Sequence, residues 1–171
     1  MVCTRCAKPT IDAPSIDDWG PTLWTILHGF AEHAGRNEDE RQLWISLIEG
    51  LPKIIPCPDC AKHVKEWLKT HPLFPLRKIP ISGLRQWIVD YLYTLHEAVN
   101  ERLGKPSFPK SELTATYIDV DVQVKAESLK RFLEKLISIS GTGMLSWKNW
   151  EGLVLRMLTL YSLAGLCPTC K

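Results

Sequence analysis

The feature that most constrains this chain is a Cys-x-x-Cys pair, Cys57 and Cys60, which stands directly before a helical pattern. Behind the pair, the apolar residues Val64, Trp67 and Leu68 recur at helical spacing, with charged residues between them. A cysteine in the first turn of a helix lies near unpaired backbone N–H groups and the positive end of the helix dipole, and both favour its thiolate. The sequence therefore predicts a reactive pair of thiols at the start of a helix.

All six cysteines fall into pairs of the same spacing, which are Cys3 with Cys6, Cys57 with Cys60, and Cys167 with Cys170. The first residues include Cys3 and Arg5 where a signal peptide would need an apolar core, so we expect an unexported, cytoplasmic protein. In such a protein, paired cysteines indicate redox or metal sites before they indicate a framework of structural disulfides.

Length and charge exclude several classes of protein. A chain of 171 residues has room for one ordinary domain, or for one small domain with an extension. The formal net charge is +2 and the charged residues are evenly scattered, so we expect no nucleic acid partner. No apolar run approaches the length of a membrane-spanning helix, so we also expect no membrane span.

Apolar stripes at helical spacing predict four helices in the first hundred residues. Residues that typically start helices precede the stripes, at Asp17 or Asp18, Asn37, Cys57 and Ser82. Gly104 is well placed to end the fourth helix. The simplest architecture is a four-helix bundle with the redox pair at the start of its third helix.

The rest of the chain shows a less regular pattern. Residues 114 to 124 alternate apolar and polar side chains, which predicts a short strand or an extended connection. Two further helices are predicted over residues 127 to 139 and 146 to 163. Tryptophans on the helical stripes are predicted to pack in the core, with a second subunit as the alternative contact for Trp147 and Trp150. Three histidines without motif context are predicted at the surface or in helix caps, namely His33, His63 and His71.

Three pieces of the sequence match motifs that occur together in one protein family. The first runs from Trp19 to His28, the second is the central cysteine pair, and the third runs from His96 through Lys105 to Phe108. Together they resemble the Erv/ALR family of FAD-dependent sulfhydryl oxidases over about residues 17 to 109.

By this resemblance the chain divides into three parts. Residues 17 to 109 form a mainly α domain, a four- to five-helix bundle that binds FAD. Residues 1 to 16 are a flexible N-terminal arm with one Cys-x-x-Cys pair, and residues 110 to 171 are a helical C-terminal extension that ends in another. Family members pair as dimers, so we expect a homodimer. Compact members with such tails resemble enzymes of large DNA viruses, which favours a viral enzyme of the host cytoplasm or the virion.

The resemblance also implies which residues hold FAD. The matched cofactor positions are Gly20, Trp24, His28, Cys60, His96, Val99, Asn100, Leu103, Lys105 and Phe108. An aromatic ring can stack on a flat cofactor ring, and Lys105 can meet a pyrophosphate as a point charge. His96 and Asn100 lie four residues apart, so one helix face directs both into one pocket.

Two features depart from the family pattern. Glu97 stands where the family has asparagine, which affects one cofactor contact. No cysteine lies between Cys60 and Cys167 to complete the extra structural disulfide that family members commonly carry. The bundle is therefore expected to be held by packing and cofactor alone.

The resemblance implies a role for each cysteine pair. Cys57 would exchange with incoming dithiols, and Cys60 would pass the electrons to the flavin, which oxygen reoxidises with release of hydrogen peroxide. The substrates would be protein dithiols, with a thioredoxin-like relay protein as a further partner. One terminal pair would relay electrons from the substrate, and Cys167 with Cys170 is the better candidate because it follows a helix and Gly165.

Two other interpretations stay open at this point. Four thiolates from the termini could assemble a tetrahedral zinc site, which would make the chain a non-enzymatic helical adaptor. The central pair could also act as a redox sensor that is oxidised without turnover. Bound metal without flavin favours the adaptor, and sustained oxygen consumption with a dithiol excludes the sensor.

Overall fold

The computed structural model describes residues 15–140 and 144–163 of the chain. These residues form seven α-helices and no β-strand, which confirms the mainly α prediction. The helices are α1 (Ile16–Glu32), α2 (Glu40–Ile54), α3 (Pro58–Thr70), α4 (Ile81–Arg102), α5 (Leu113–Tyr117), α6 (Val122–Ser140) and α7 (Met144–Leu163). None of these helices has both the length and the apolar composition that crossing a membrane requires. The terminal cysteines Cys3, Cys6, Cys167 and Cys170 lie outside the described residues.

Local hydrogen bonding explains where the helices near the site begin and end. At α1, the carboxylate of Asp18 accepts the backbone N–H of Ser15 at 2.7 Å. At α3, Cys57 is the N-terminal cap, and Pro58 occupies the first turn, where a missing N–H costs no helical hydrogen bond. Helix α4 ends at Arg102, and Gly104 follows as the predicted stop, with a φ of +65° in the left-handed region that glycine adopts without strain.

The strand or extended connection predicted over residues 114 to 124 is wrong. This segment forms most of α5, a turn and the beginning of α6, because local hydrogen bonds such as Ile118 N–H to the Thr114 carbonyl, at 3.0 Å, close helical turns. Val122 is buried at the start of α6, and Asp121 accepts a backbone N–H of its first turn at 3.0 Å. The alternating apolar residues therefore anchor two helix ends rather than one face of a strand.

Helices α6 and α7 pack on α1 and α2 and share one hydrophobic core with them. Two glycines permit this close approach. A Cβ atom added to Gly29 would lie 2.8 Å from Val122, and one added to Gly50 would lie 2.8 Å from Trp150. Trp150 also donates its indole N–H to a backbone carbonyl of α2 at 3.1 Å. Trp147 and Trp150 are both buried in this core, as the packing prediction required.

Buried carboxylates also tie the helices together. Glu40 at the start of α2 is fully buried and accepts three backbone N–H groups of the preceding loop, and the hydroxyl of Tyr161 in α7 donates to it at 3.3 Å. Glu32 in α1 is buried and pairs with Arg85 of α4. The Glu32 carboxylate is buried whereas the Arg85 side chain is 38% exposed, so this pair joins α1 to α4 at the edge of the core.

Candidate active site

Cys57 and Cys60 stand at the junction of α2 and α3. Helix α2 ends at Ile54, and three residues later Cys57 caps α3, where its sulfur accepts the backbone N–H of Cys60 at 3.2 Å. The two cysteines form a disulfide, and both are half-buried. The pair therefore lies at the positive end of the α3 dipole, which stabilises a thiolate whenever the disulfide is reduced.

A cleft of about 220 Å³ lies beside this disulfide, between α1, α3 and α4. Its walls are mostly apolar or aromatic. Eight of the residues predicted to bind the cofactor line it, namely Gly20, Trp24, Cys60, His96, Val99, Asn100, Leu103 and Lys105. Cys60 thus belongs to the cleft wall, whereas Cys57 is not part of it.

Four rings stack beside the cleft. The indole of Trp24 lies nearly parallel to the imidazole of His96, with ring centres 4.0 Å apart. His28 follows His96, with 3.1 Å between its Nε2 and Nδ1 of His96, and Tyr117 stacks on His28 with ring centres 4.7 Å apart. Because α1, α4 and α5 each contribute a ring, the stack fixes the orientation of His96 at the cleft wall.

The surroundings hold the paired imidazoles neutral. Burial, with a smaller contribution from His96, lowers the pKa of His28 from 6.5 to about 3. Burial also lowers the pKa of His96 to about 4, against an opposing effect of Glu97. Neither ring is therefore charged at neutral pH, so one nitrogen of the 3.1 Å contact donates its proton and the other accepts it.

The two remaining predicted cofactor residues lie behind the cleft wall. His28 is buried and touches the wall through its hydrogen bond to His96. Phe108 is half-buried near Tyr117, with ring centres 6.3 Å apart, and its carbonyl accepts the hydroxyl of Tyr93 at 3.0 Å. The geometry therefore places both residues as supports for rings that line the cleft.

Glu97, which departs from the family pattern, holds the loop that follows α4. Its carboxylate accepts hydrogen bonds from the side-chain amide of Asn100 at 3.0 Å, from the backbone N–H of Phe108 at 3.1 Å and from the hydroxyl of Ser107. Partial desolvation opposes ionisation, but these hydrogen bonds outweigh it and hold the pKa of Glu97 below its usual value. An acidic side chain at this position therefore fixes the loop that carries Lys105.

Ten residues of the cleft wall are absent from the predicted site, among them His63, Arg102 and Tyr117. The prediction that His63 is a surface or capping residue is wrong, because it follows Cys60 by about one helical turn and so faces the same cleft. Burial and then the charge of Arg102 lower the pKa of His63. Its spacing from Cys60 was the available signal, whereas Tyr117 was hidden in the segment interpreted as a strand.

The other two histidines behave as predicted. His33 and His71 cap the C-terminal ends of α1 and α3. A ring nitrogen of His33 lies 3.0 Å from the carbonyl of Ile118, which joins α1 to the turn after α5. His71 is exposed and stacks on Trp67, with ring centres 3.9 Å apart. Neither imidazole lines the cleft.

The mouth of the cleft is basic. Arg102 and Lys105 are both exposed, and Lys105 pairs at 2.9 Å with Asp17, whose side chain is 74% exposed. An exposed ion pair contributes only roughly 0–1 kcal/mol, so an anionic group of a ligand can readily take the place of Asp17. Cations at the mouth and aromatic rings at the wall suit a ligand with a flat ring system and phosphate groups.

Size limits how such a ligand fits. The cleft volume of about 220 Å³ is smaller than the roughly 300–1,000 Å³ of pockets that enclose drug-sized ligands. The enclosed part therefore suits a ring system, and the phosphates of a dinucleotide would need the open, basic mouth. Among residues 15–140 and 144–163, no three His, Cys, Asp or Glu side chains are placed to hold a metal ion. The four-cysteine zinc prediction concerns residues outside this range and stays a prediction.

Comparison with known proteins matches the region that builds this site. The chain is 32% identical over 97 residues to the mitochondrial FAD-linked sulfhydryl oxidase erv1 of Schizosaccharomyces pombe, which covers 56% of this chain and 50% of the relative. It is 30% identical over 107 residues to the FAD-linked sulfhydryl oxidase ERV1 of Oryza sativa subsp. japonica, and the match covers 61% of this chain and 52% of the relative. It is 28% identical over 103 residues to protein 096R of Invertebrate iridescent virus 3, which is also named as a FAD-linked sulfhydryl oxidase. This match covers 58% of this chain and 65% of the relative.

The chain spans about half to two thirds of the length of these relatives. No solved structure matches it. A model of the Erv1/Alr family matches residues 21–118, which is more than half of the chain and includes the ring stack, the disulfide and the end of α4. The chain therefore belongs to the Erv1/Alr family.

Proposed function

We propose that this chain is an FAD-dependent sulfhydryl oxidase, which forms disulfides in protein dithiols and passes the electrons to oxygen. The observation that carries the proposal is the Cys57–Cys60 disulfide, with Cys60 in the wall of an aromatic cleft. The names of the relatives support it, since they are FAD-linked sulfhydryl oxidases. FAD, when bound, would supply the two-electron acceptor and the reaction with oxygen that releases hydrogen peroxide.

The exchange step follows from the positions of the two sulfur atoms. Cys60 lines the cleft and Cys57 does not, so Cys57 is the sulfur that an incoming thiolate attacks. The S–S bond breaks, and Cys60 leaves as a thiolate that the N-terminus of α3 stabilises. A second substrate thiolate then attacks the substrate sulfur of the mixed disulfide and releases Cys57. The substrate is oxidised by two electrons, and the Cys57–Cys60 pair is reduced by two.

The same geometry supports the proposed cofactor residues. Trp24 and His96 supply flat faces against which a ring can pack, and the neutral His28 fixes the orientation of His96. Lys105 and Arg102 would meet the phosphates at the mouth. The remaining wall residues, which complete the shape of the cleft, are Gly20, Val99, Asn100 and Leu103.

The terminal cysteine pairs extend the proposal beyond the described residues. We propose that Cys167 and Cys170 relay electrons from protein substrates to Cys57, and that Cys3 and Cys6 are accessory. This order is supported by the sequence, in which the C-terminal pair follows α7 and Gly165. The competing arrangement, a zinc ion held by these four cysteines, predicts stoichiometric metal in the purified chain.

Partners and location belong to the same proposal. A thioredoxin-like relay protein, a homodimer and a place in the host cytoplasm or the virion stay predictions, and two relatives from iridescent viruses support a viral origin. A homodimer would have to use surfaces other than those faces of α1 and α2 that α6 and α7 cover.

The first test is the visible absorption spectrum of the purified full chain, before and after a dithiol is added without oxygen. A flavin spectrum that bleaches would link the cofactor to the thiols. A colourless protein from flavin-replete cells would refute the proposal, and metal analysis of the same sample would then test the zinc adaptor.

Cysteine variants test the order of exchange. Cys57→Ser or Cys60→Ser should abolish oxidation of dithiothreitol without loss of helical circular dichroism, because exchange needs both sulfurs. Cys167→Ser should slow the oxidation of a reduced protein far more than that of dithiothreitol. The rate of oxygen consumption is measured with each substrate for the variant and the unchanged chain. An equal loss of rate for the reduced protein and for dithiothreitol would reject the relay.

A further inference from the structure

The face of α3 that turns away from the cleft borders a basic groove. This groove, of about 590 Å³, lies between α2, α3 and the 3-10 turn Phe74–Arg77. Four cations and one carboxylate line it, namely Lys53, Lys65, Lys69, Arg77 and Glu49. The cations are exposed, and none forms an ion pair with another described residue. Among the lining residues only Glu49 offsets the four cations, so the groove keeps an excess of positive charge.

The floor of the groove is apolar. Ile45, Leu68 and Leu73 line it, and the ring of Phe74 is 59% exposed at its edge. A phosphate backbone would use the cations but leave this floor without a contact. A peptide that alternates acidic and apolar side chains would use both. The chemistry of the lining therefore favours an acidic peptide segment over a nucleic acid.

The groove of similar size between α6 and α7 does not share this character. Its lysine, Lys130, pairs with Glu151 at 2.9 Å, and Glu127 adds a further negative charge. That groove therefore offers no net positive field to an acidic ligand. The contrast shows that size alone does not distinguish the groove beside α3.

Helix α3 connects the basic groove to the redox pair. Cys60 and Val64 line the cleft, whereas Lys65 and Lys69 line the groove. Cys57 precedes Lys65 by eight residues, or about two helical turns, and it lines neither the cleft nor the groove. The disulfide therefore lies at the N-terminal end of α3, from which one row of side chains leads into the cleft and another leads into the groove.

We propose that the basic groove binds an acidic, extended segment beside the dithiol of a protein substrate and so presents that dithiol to Cys57 directly, as a second route that does not pass through Cys167 and Cys170. The proposal rests on the proposed function. A substrate thiolate attacks Sγ of Cys57, and Cys60 leaves as a thiolate. The second substrate thiolate then attacks the substrate sulfur of the mixed disulfide and releases Cys57, so the substrate loses the two electrons that the pair gains.

The terminal segments of this chain do not match the groove in charge. Residues 1–14 contain Arg5 and Lys8 against one carboxylate, Asp12, and residues 164–171 contain Lys171 and no acidic residue. Neither stretch carries the run of acidic residues that would complement the groove. An acidic segment of a separate protein is therefore the occupant that we assign to it.

Helix geometry fixes the spacing of the ligand. The helical rise places Lys65 about 12 Å and Lys69 about 18 Å beyond Cys57 along the axis of α3. An extended peptide covers about 3.3 Å per residue. Carboxylates about four to six positions from the reacting cysteine should therefore reach the two lysines, and carboxylates ten or more positions away should not.

The binding test uses the full chain and fluorescent peptides in which serine replaces both cysteines of a Cys-x-x-Cys sequence. A peptide with aspartates four to six positions from this sequence should bind about ten-fold more tightly at low salt than its glutamine counterpart. Lys65→Glu with Lys69→Glu should remove that preference. Lys125→Glu with Lys148→Glu, on exposed positions of α6 and α7, should retain it. Moving the aspartates ten positions away should also remove it.

The exchange test measures how fast the matching dithiol peptides reduce the Cys57–Cys60 disulfide in a full chain whose four terminal cysteines are serine. Thiol alkylation and mass spectrometry follow this rate without flavin or oxygen, so a flavin-free chain would refute the proposed function but not this inference. The acidic peptide should react about ten-fold faster than its glutamine counterpart, with an advantage that salt reduces. The proposal would be overturned if the acidic and glutamine peptides reacted at equal rates or bound with equal affinity. It would also be overturned if a single-stranded oligonucleotide of the same charge bound as tightly as the acidic peptide.

Discussion

Mild acid should destabilise this fold through the imidazole pair of His28 and His96. Burial, mainly, lowers their pKa values to about 3 and about 4, below the ordinary value of 6.5. The unfolded chain therefore binds protons between these values that the folded chain does not bind. The stabilisation from this difference is complete above pH 6.5 and is lost as the pH falls from 6.5 toward 4.

The size of the effect follows from the pKa values. Each proton bound only by the unfolded chain changes the free energy of unfolding by about 1.4 kcal/mol per pH unit. Between pH 7 and pH 5, each imidazole should cost about 2 kcal/mol and the pair about 4 kcal/mol. That is a large part of the roughly 5–15 kcal/mol that stabilises a typical domain.

Urea unfolding of the full chain at pH 5, 6 and 7, followed by circular dichroism, measures this loss. The double change His28→Gln with His96→Gln should lower stability at pH 7 but remove most of the slope with pH. His71→Gln, at an exposed position, serves as the matched control and should keep the slope. The same urea midpoint at pH 5 and pH 7 in the unchanged chain would refute the account of neutral imidazoles.

Two further substitutions test contacts in the fold and in the site. Gly50→Ala should lower the free energy of unfolding by about 1–2 kcal/mol, because the added Cβ would lie 2.8 Å from Trp150. Gly152→Ala, in open space on α7, should instead raise the free energy of unfolding by about 0.5–1 kcal/mol. Thermal unfolding of both variants compares them, and equal shifts would contradict the close packing. Glu97→Gln should weaken flavin binding about three- to ten-fold, because it loosens the loop after α4. A fluorescence titration measures the dissociation constant of the flavin, and an unchanged value would contradict this role of Glu97.

The helices of this chain are predictable from sequence where one period dominates. The stripe behind Cys57 has helical spacing, and a capping cysteine followed by Pro58 gives α3 a start that could be read directly. The segment around Tyr117 has no such period, because it holds a five-residue helix and a turn. Short helices of this kind are set by what they pack against, and Tyr117 packs against His28, 89 positions away in the chain.

In the candidate site, too, some residues could be predicted from the sequence and others could not. Residues within a contiguous motif, such as His96 and Lys105, could be matched one by one, and they do line the cleft. His63 lies outside those motifs, and its spacing of about one helical turn after Cys60 was the one indication that it faces the cleft. The hydrogen bonds of Glu97 were hidden for a similar reason, because its partners Ser107 and Phe108 return to it through a loop.

The glycine contacts of α1 and α2 bear on which part of the chain can fold by itself. The family match ends at residue 118, yet Val122 and Trp150 lie beyond it and press on Gly29 and Gly50. A chain cut at 118 would expose the apolar surface that α6 and α7 bury, and such a surface drives self-association. In this structure the last two helices cover that surface, so we expect a unit that folds by itself to extend through α7 and not to stop at the end of the family match.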